Sequence, residues 1–390
     1  MTRWRVILAA GVLCGTLVAC TDDGKTTNET VANTTTAAPV DTAPTTDAPT
    51  TDAPTTTKAP TTTKAAPEWE TIAASKDCMC SDGSGFSYFV RRASPTKVMF
   101  FLEGGGACFS AETCDAASNT YKRDVGTTDD LNSGGRDGIF DFANPKNPFA
   151  DYSIVYVPYC TGDVHLGNST HDYGNGIVVE HKGYVNGTTA LATLAELFPD
   201  AQEVFVTGES AGSVPTPLYA GLAHDLLPDA RITVLADGSG AYPDIPGINE
   251  LIGGAWGTMN AIPDWPENAD VTAATWSFPG LFIKAGTHDP AITFARHDYA
   301  FDETQTFFAG LAGIPADNLV SLIDQNETQV EAGGVPLFSY ITVGSSHTVL
   351  GSPKFYTETV NGTPFVDWVT ALVAGDPVDD VHCTECTVAG

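Results

Sequence analysis

Residues 204–212 read Val204-Phe205-Val206-Thr207-Gly208-Glu209-Ser210-Ala211-Gly212, in which an apolar run leads into Gly-Glu-Ser-Ala-Gly. The apolar run predicts a buried strand, and the apolar spacing over 218–226 predicts a helix soon after it. Small residues flank Ser210, as they must where a serine occupies a strained turn between a strand and a helix. The stretch therefore predicts a nucleophile elbow, the turn that presents a reactive serine hydroxyl at the edge of a sheet.

Short apolar runs alternate with longer amphipathic stretches on both sides of this turn, which is typical of an α/β fold with a mostly parallel sheet flanked by helices. Residues 237–290 show no clear period, so we expect them to form an insertion over the sheet. The predicted strands are 97–102, 153–157, 203–206, 232–235, 292–295 and 338–343, and the predicted helices are 184–198, 211–226, 303–311 and 364–373.

A serine hydroxyl becomes a good nucleophile only when a histidine, held by a carboxylate, removes its proton. In chains with this elbow the acid and the histidine follow the serine. His347 comes directly after the last apolar run and is the predicted base. Asp289, Asp298 and Asp302 all follow apolar runs and stay open as the acid, with Asp302 favoured because it opens a predicted helix.

Acyl transfer also requires hydrogen-bond donors for the oxyanion. Leu102-Glu103-Gly104-Gly105-Gly106 places three glycines directly after an early strand. The turn is similar to the glycine-rich oxyanion turn of lipases and esterases, although Glu103 stands where those enzymes have a histidine. A turn that is merely flexible is the alternative.

The N-terminus has the pattern of an export signal. Arg3 and Arg5 precede an apolar run over 6–19 that is too short to span a bilayer, so we interpret 1–19 as a signal peptide. Cys20 lies where a bacterial lipoprotein carries its lipid, and an ordinary cleaved signal is the alternative. The prediction is an exported, cell-envelope or extracellular protein that contacts a membrane only through a lipid anchor.

The following segment cannot build a core. Residues 20–67 consist almost entirely of Thr, Ala, Pro and Asp, which favours an extended linker. We expect one catalytic domain over 68–390. A net charge of −30 for the whole chain argues against binding to nucleic acid.

Seven cysteines remain once Cys14 and Cys20 are assigned to the signal and the anchor. In an oxidising setting disulfides are the default, and the odd number leaves one thiol free or paired outside the domain. A zinc site at the C-x-x-C of Cys383 and Cys386 is the weaker alternative, so neither a metal nor a cofactor is predicted. The seven are Cys78, Cys80, Cys108, Cys114, Cys160, Cys383 and Cys386.

Five stretches carry a family resemblance: Phe101-Leu102-Glu103-Gly104-Gly105 with Cys108, Val157-Pro158-Tyr159-Cys160 with Asp163-Val164, Gly208-Glu209-Ser210-Ala211-Gly212, Phe301-Asp302-Glu303-Thr304-Gln305, and Ser346-His347. Together they resemble the pectin acetylesterase and Notum family of carboxylesterases, which implies an α/β-hydrolase fold. The residues implied are the triad Ser210, Asp302 and His347, the oxyanion-hole amides of Gly105, Gly106 and Ala211, and the disulfides Cys80–Cys160 and Cys108–Cys114.

The chain also departs from the family pattern. Gly106 and Ala107 stand where the animal deacylase has a Trp, and the middle insertion has no cysteine, so the lipid pocket of Notum is not carried over. Asp163 and His165 belong to a loop similar to the family's, and we expect them to be structural.

The resulting hypothesis is a surface-tethered serine esterase that removes acetyl or other short acyl groups from a polysaccharide such as pectin. Gly106 and Ala107 offer no large apolar wall, which is compatible with a shallow acyl site. A deep cleft built elsewhere by Trp256, Trp265 and Trp276 of the insertion is the alternative. Deacylation of another exported ester, such as a lipidated protein or a small metabolite, is the alternative within enzymes. A catalytically inert binding module is the third possibility.

Overall fold

The computed structural model describes residues 68–128, 131, 137–384 and 386. The predicted signal peptide, Cys20 and the linker lie outside the described residues, so the division into three segments stays a prediction. Within the described part of the chain, no helix combines the length and the apolar character that a membrane span requires.

A nine-stranded sheet forms the centre of the described part, in the order β1-β2-β4-β3-β7-β8-β9-β10-β13. β1 and β2 are antiparallel to their neighbours, and all pairs from β4 to β13 are parallel. The nine strands are β1 Trp69–Ala73, β2 Ser87–Arg91, β3 Lys97–Leu102, β4 Ser153–Val157, β7 Glu203–Glu209, β8 Arg231–Asp237, β9 Thr293–Tyr299, β10 Leu337–Thr342 and β13 Val381–His382.

The remaining elements surround this sheet. Two small antiparallel pairs are β5 Ser169–Asp172 with β6 Val178–His181, and β11 Thr359–Val360 with β12 Thr363–Pro364. The helices are α1 Ala111–Cys114, α2 Gly183–Leu197, α3 Thr216–Leu226, α4 Pro246–Trp256, α5 Phe278–His288, α6 Glu303–Leu311, α7 Leu319–Ala332 and α8 Phe365–Ala374.

The core has two layers because the parallel strands are covered on both faces, which is why they are almost continuously apolar. Phe100 and Phe101 on β3 show the alternation. The Phe100 ring lies 5.4 Å from Tyr219 of α3 in one layer, and the Phe101 ring stacks 5.0 Å from Tyr156 of β4 in the other. Helices α2, α3 and α5 cover the first layer, whereas α6 and α8 cover the second.

The predicted fold class is confirmed, and each of the ten predicted strands and helices is present with bounds shifted by a few residues. The prediction missed the shorter or edge elements β1, β2, β5, β6, β11, β12, β13 and α1, and the helices α4, α5 and α7. The interval 237–290 contains α4 and α5, which are short and contain glycines that weaken a helical pattern.

Three disulfides stabilise the described region. Cys80–Cys160 and Cys108–Cys114, the two pairs implied by the family resemblance, are both present. Cys383 and Cys386 also form a disulfide, so their thiolates are not available to a zinc ion. Cys78 is buried as a free thiol, which accounts for the odd cysteine.

Candidate active site

Ser210 occupies the sharp turn at the end of β7 with a φ of +54°, a left-handed conformation that a non-glycine residue rarely adopts. A 3-10 turn over Ser210–Gly212 follows before α3 begins. A Cβ at Gly208 would collide with the Gly212 carbonyl, and one at Gly212 would collide with the carbonyl of Leu102. The two glycines are therefore required because β7, β3 and the turn approach each other so closely.

Asp302 and His347 meet at the same edge of the sheet. Asp302 follows β9, and His347 follows β10. The His347 Nδ1 lies 2.7 Å from Asp302 Oδ2. Asp302 has no solvent-exposed surface, and its Oδ1 accepts the backbone amides of Thr304 and Gln305 at the start of α6. The carboxylate is thus fixed by the helix that it caps.

The second ring nitrogen of His347 is available for chemistry. Nε2 is buried and has no hydrogen-bond partner within the described residues, Ser210 included. Burial by itself lowers the pKa of His347, but the hydrogen bond to Asp302 and its negative charge outweigh this and raise the pKa above its usual value. A base with an unused, oriented nitrogen is the arrangement that activates a serine in a substrate complex.

The glycine turn after β3 packs against the elbow. A Cβ at Gly104 would lie 3.0 Å from the Ser210 Cβ. Gly105 and Gly106 have φ values of +156° and +77°. Two backbone hydrogen bonds hold the turn to the segment 120–122. The Ala107 amide donates to the Thr120 carbonyl, and the Lys122 amide donates to the Gly105 carbonyl. Neither bond uses the Gly106 amide.

The turn thus lies beside Ser210, and neither the Gly105 nor the Gly106 amide donates in these two anchoring bonds. The role of the Gly105, Gly106 and Ala211 amides as an oxyanion hole remains a prediction.

Glu103 occupies the position at which related turns have a histidine, and its side chain makes structural contacts. Its Oε2 accepts the ammonium of Lys122 at 2.7 Å and the amide of Tyr159 at 2.9 Å. The imidazole of His165 donates to the Glu103 carbonyl, with Nε2 and the oxygen 2.8 Å apart. Glu103 therefore links the oxyanion turn to the loop after β4.

Asp163 and His165 lie in that loop, where both are held by backbone contacts. Asp163 accepts the Gly183 amide at the start of α2, with 2.8 Å between Oδ2 and N. His165 is buried, and burial lowers its pKa to about 4. These contacts agree with the structural roles expected from the sequence.

The two other candidate acids are engaged elsewhere. Asp289 pairs with His224 at 3.0 Å at the end of α5. Asp298 is buried and accepts the Gly240 amide and the Gln305 side chain, both at 2.8 Å. Gln305 also donates to Asp302 at 3.2 Å, a supporting contact that the sequence reasoning missed.

An apolar cleft opens beside Ser210 and encloses about 740 Å³ including its open mouth. Gly106 and Ala107 form one edge of this cleft, and two of the three tryptophans of the insertion, Trp256 and Trp276, form part of its wall. Its deeper walls come from α4, the start of α5 and α6, which the sequence offered no period to find. The large apolar lining residues are Phe109, Val214, Tyr242, Ile248, Ile252, Trp256, Trp276, Phe278, Phe308 and Ile314.

The parallel sheet, the serine in a strained turn after one strand and the aspartate–histidine pair after two others define the α/β-hydrolase class. Comparison with protein families is consistent with this class. The pectinacetylesterase family model matches residues 64–251, a segment that includes the glycine turn and Ser210 but ends before Asp302. The chain belongs to the pectinacetylesterase and Notum family.

Three relatives illustrate the similarity. The palmitoleoyl-protein carboxylesterase NOTUM of Schmidtea mediterranea is 30% identical over 36% of this chain and 27% of its own length. Notum1 of Xenopus laevis is 27% identical over 44% of this chain and 36% of its own length. Pectin acetylesterase 5 of Arabidopsis thaliana is 25% identical over 46% of this chain and 42% of its own length. The chain thus spans well under half the length of these relatives.

Proposed function

We propose that this protein hydrolyses carboxylic esters, with Ser210 as the nucleophile and His347 as the general base. Asp302 orients the imidazole and stabilises its protonated form. The observation that carries the proposal is the 2.7 Å contact between His347 Nδ1 and the buried Asp302, which leaves Nε2 unbonded at the sheet edge where Ser210 lies. Without such a pair the serine hydroxyl has no means of losing its proton.

The reaction follows from these positions. Nε2 of His347 takes the hydroxyl proton while Ser210 Oγ forms a bond to the ester carbonyl carbon. The amides of Gly105, Gly106 and Ala211 donate to the resulting oxyanion. The carbon–oxygen bond to the alcohol then breaks, and the alcohol leaves with the proton from His347. Water, activated by the same nitrogen, releases the acyl group as a carboxylic acid and restores Ser210.

The two sides of the site differ in polarity, which supports a substrate with an apolar acyl group and a polar alcohol. Ser210 lines the apolar cleft, whereas His347 lines a neighbouring polar depression together with Glu209, Ser346 and Lys354. An acyl chain gains about 0.8 kcal/mol for each methylene that an apolar pocket encloses. We therefore propose an acyl group larger than acetyl on a hydroxyl-rich alcohol such as a carbohydrate.

Removal of acetyl groups from a polysaccharide such as pectin is the second candidate. It is supported by the similarity to the plant pectin acetylesterase and by the predicted linker, which suits a protein that reaches polymers. The net charge of −30 opposes binding to a polyanionic polymer, so a neutral ester fits better. Neither candidate requires a cofactor.

We propose that the protein acts outside the cytoplasm, attached to the envelope through Cys20. Three disulfides support export, because such bonds persist in oxidising compartments. Mass spectrometry of the mature N-terminus tests the anchor, which predicts a chain that begins at a lipid-modified Cys20.

Labelling with a fluorophosphonate tests the enzyme. We expect the wild-type protein to form a covalent adduct on Ser210 and to hydrolyse p-nitrophenyl esters, and Ser210→Ala to do neither while keeping its circular dichroism spectrum. Ser321 lies on α7, where its hydroxyl accepts a hydrogen bond from Gln325. Ser321→Ala serves as the matched control and should be labelled normally. Normal turnover by Ser210→Ala would refute the proposed function and favour a binding module.

A further inference from the structure

A second apolar pocket lies in the insertion and encloses about 490 Å³ including its mouth. It contains no residue of the proposed triad. Its walls come from the loop before β5, from α3 and from the interval between α4 and α5. The apolar residues that line it are Leu166, Leu218, Ala261, Ile262, Pro263, Trp265, Val271, Trp276 and Leu281.

Trp276 is the one residue that lines both this pocket and the cleft at Ser210 within the described chain. The same segments continue from one cavity to the other. Val214 faces the cleft and Leu218, one helical turn further along the same chain segment, faces the second pocket. In the same way, Val164 lines the cleft and Leu166 lines the second pocket. The two cavities therefore lie end to end, with the indole between them.

The indole is held in this position by its neighbours. The side chain of Trp276 is only 6% exposed, and its ring packs edge-on against Phe278 with 5.5 Å between centroids. Gly253 of α4 lies so close that a Cβ there would be 3.4 Å from the Trp276 ring. A large rigid ring held on two sides can close the end of a cavity in a way that a flexible side chain cannot.

We propose that Trp276 is the end wall of the acyl site and sets the longest acyl chain that the enzyme accepts, with the second apolar pocket lying behind it. This inference rests on the proposed function and specifies its substrate range. Opening the wall joins two apolar cavities, so each additional methylene that becomes enclosed should raise kcat/KM by about fourfold.

The test compares p-nitrophenyl esters from two to sixteen carbons. We expect wild-type kcat/KM to rise and then fall with chain length, and Trp276→Ala to move the maximum to a longer chain with at least a tenfold gain on esters beyond the wild-type maximum. Leu281→Ala is the matched control, because it enlarges the second pocket without removing the wall and should keep the wild-type maximum.

Trp276→Leu provides a milder opening if the alanine variant does not fold, and it should shift the maximum in the same direction. A folded, active variant with the wild-type maximum would overturn the inference. So would a wild-type profile that rises through sixteen carbons. Failure of the proposed function looks different, because the wild-type protein would then hydrolyse no ester of any length.

Discussion

Both oxygens of the Asp302 carboxylate are used, and they serve different parts of the molecule. Oδ1 caps α6 by accepting two backbone amides, and Oδ2 receives His347 and the side chain of Gln305. Because the cap holds the carboxylate still, the imidazole is oriented before a substrate binds. An asparagine can also cap a helix, which allows the charge to be removed without loss of the cap.

Asp302→Asn should therefore reduce kcat by about 10⁴ while the protein remains folded, because the amide cannot hold the required imidazole tautomer. Steady-state kinetics and urea unfolding measure the two effects. Asp289→Asn removes an acid that pairs with His224 instead and should keep wild-type kcat. The reverse ranking would assign the acid to the earlier loop.

The pH dependence follows from the same pair. His347 must be neutral to accept a proton, so kcat/KM should rise with pH through the pKa of His347, which lies above its usual value. In Asp302→Asn the hydrogen bond to the charged Asp302, which makes the largest contribution that raises this pKa, is lost, while burial and the smaller effects of Asp237 and Glu209 remain. The acidic limb of the residual activity should therefore move to lower pH. An unchanged limb would show that another group controls it.

At the scale of elements, the site depends on how closely β3, β7 and the elbow approach one another. The left-handed backbone of Ser210 is a local property of the elbow turn. The close approach at Gly212, however, comes from the neighbouring strand β3. A methyl group at Gly212 would meet the carbonyl of Leu102 at the end of β3. By contrast, a methyl group at Gly254, inside α4, would meet no atom within 4 Å.

Gly212→Ala should destabilise the protein by about 1–3 kcal/mol and abolish activity, because the elbow must move away from the glycine turn. Gly254→Ala should leave activity intact and stabilise α4 by up to about 1 kcal/mol. Urea unfolding midpoints and hydrolysis rates measure both variants. Equal behaviour of the two would contradict the close packing at the elbow.

At the scale of the whole molecule, the disulfides link distant segments near the site. Cys80–Cys160 joins residues 80 positions apart, across the segments before β2 and after β4, whereas Cys108–Cys114 closes a short turn. Both lie close to the loops that carry Glu103, Asp163 and His165. Cross-links of longer loops remove more conformational freedom from the unfolded chain.

Removal of Cys80–Cys160 by a double alanine substitution should lower the free energy of unfolding by about 4 kcal/mol, and removal of Cys108–Cys114 by about 2 kcal/mol. Reducing agents should correspondingly lower the Tm of the wild-type protein. Calorimetry with and without dithiothreitol measures this effect. A Tm that does not respond to reduction would contradict a stabilising role.

The elbow, the strand-helix alternation and the oxidised cysteines could all be predicted from the sequence. Each depends on local chemistry: a strained serine turn tolerates only small neighbours, buried parallel strands must be apolar, and exported thiols oxidise. It placed Ser210 and His347 correctly at the ends of apolar runs. The signal, the anchor and the linker are predictions that rest on the sequence alone.

The contact between the acid and the histidine, and the surroundings of the serine, depend on the tertiary structure. Asp289, Asp298 and Asp302 all follow apolar runs, so the sequence favours Asp302 only through its helix-opening position and the family resemblance. The path of the chain between β9 and β10 is what brings Asp302 to His347. The composition of the apolar cleft also depends on the fold, since Trp256 comes from α4, Trp276 from the segment just before α5 and Phe308 from α6. A pocket is a property of surfaces that face each other in space, and no periodicity along one segment records which other segment it will face.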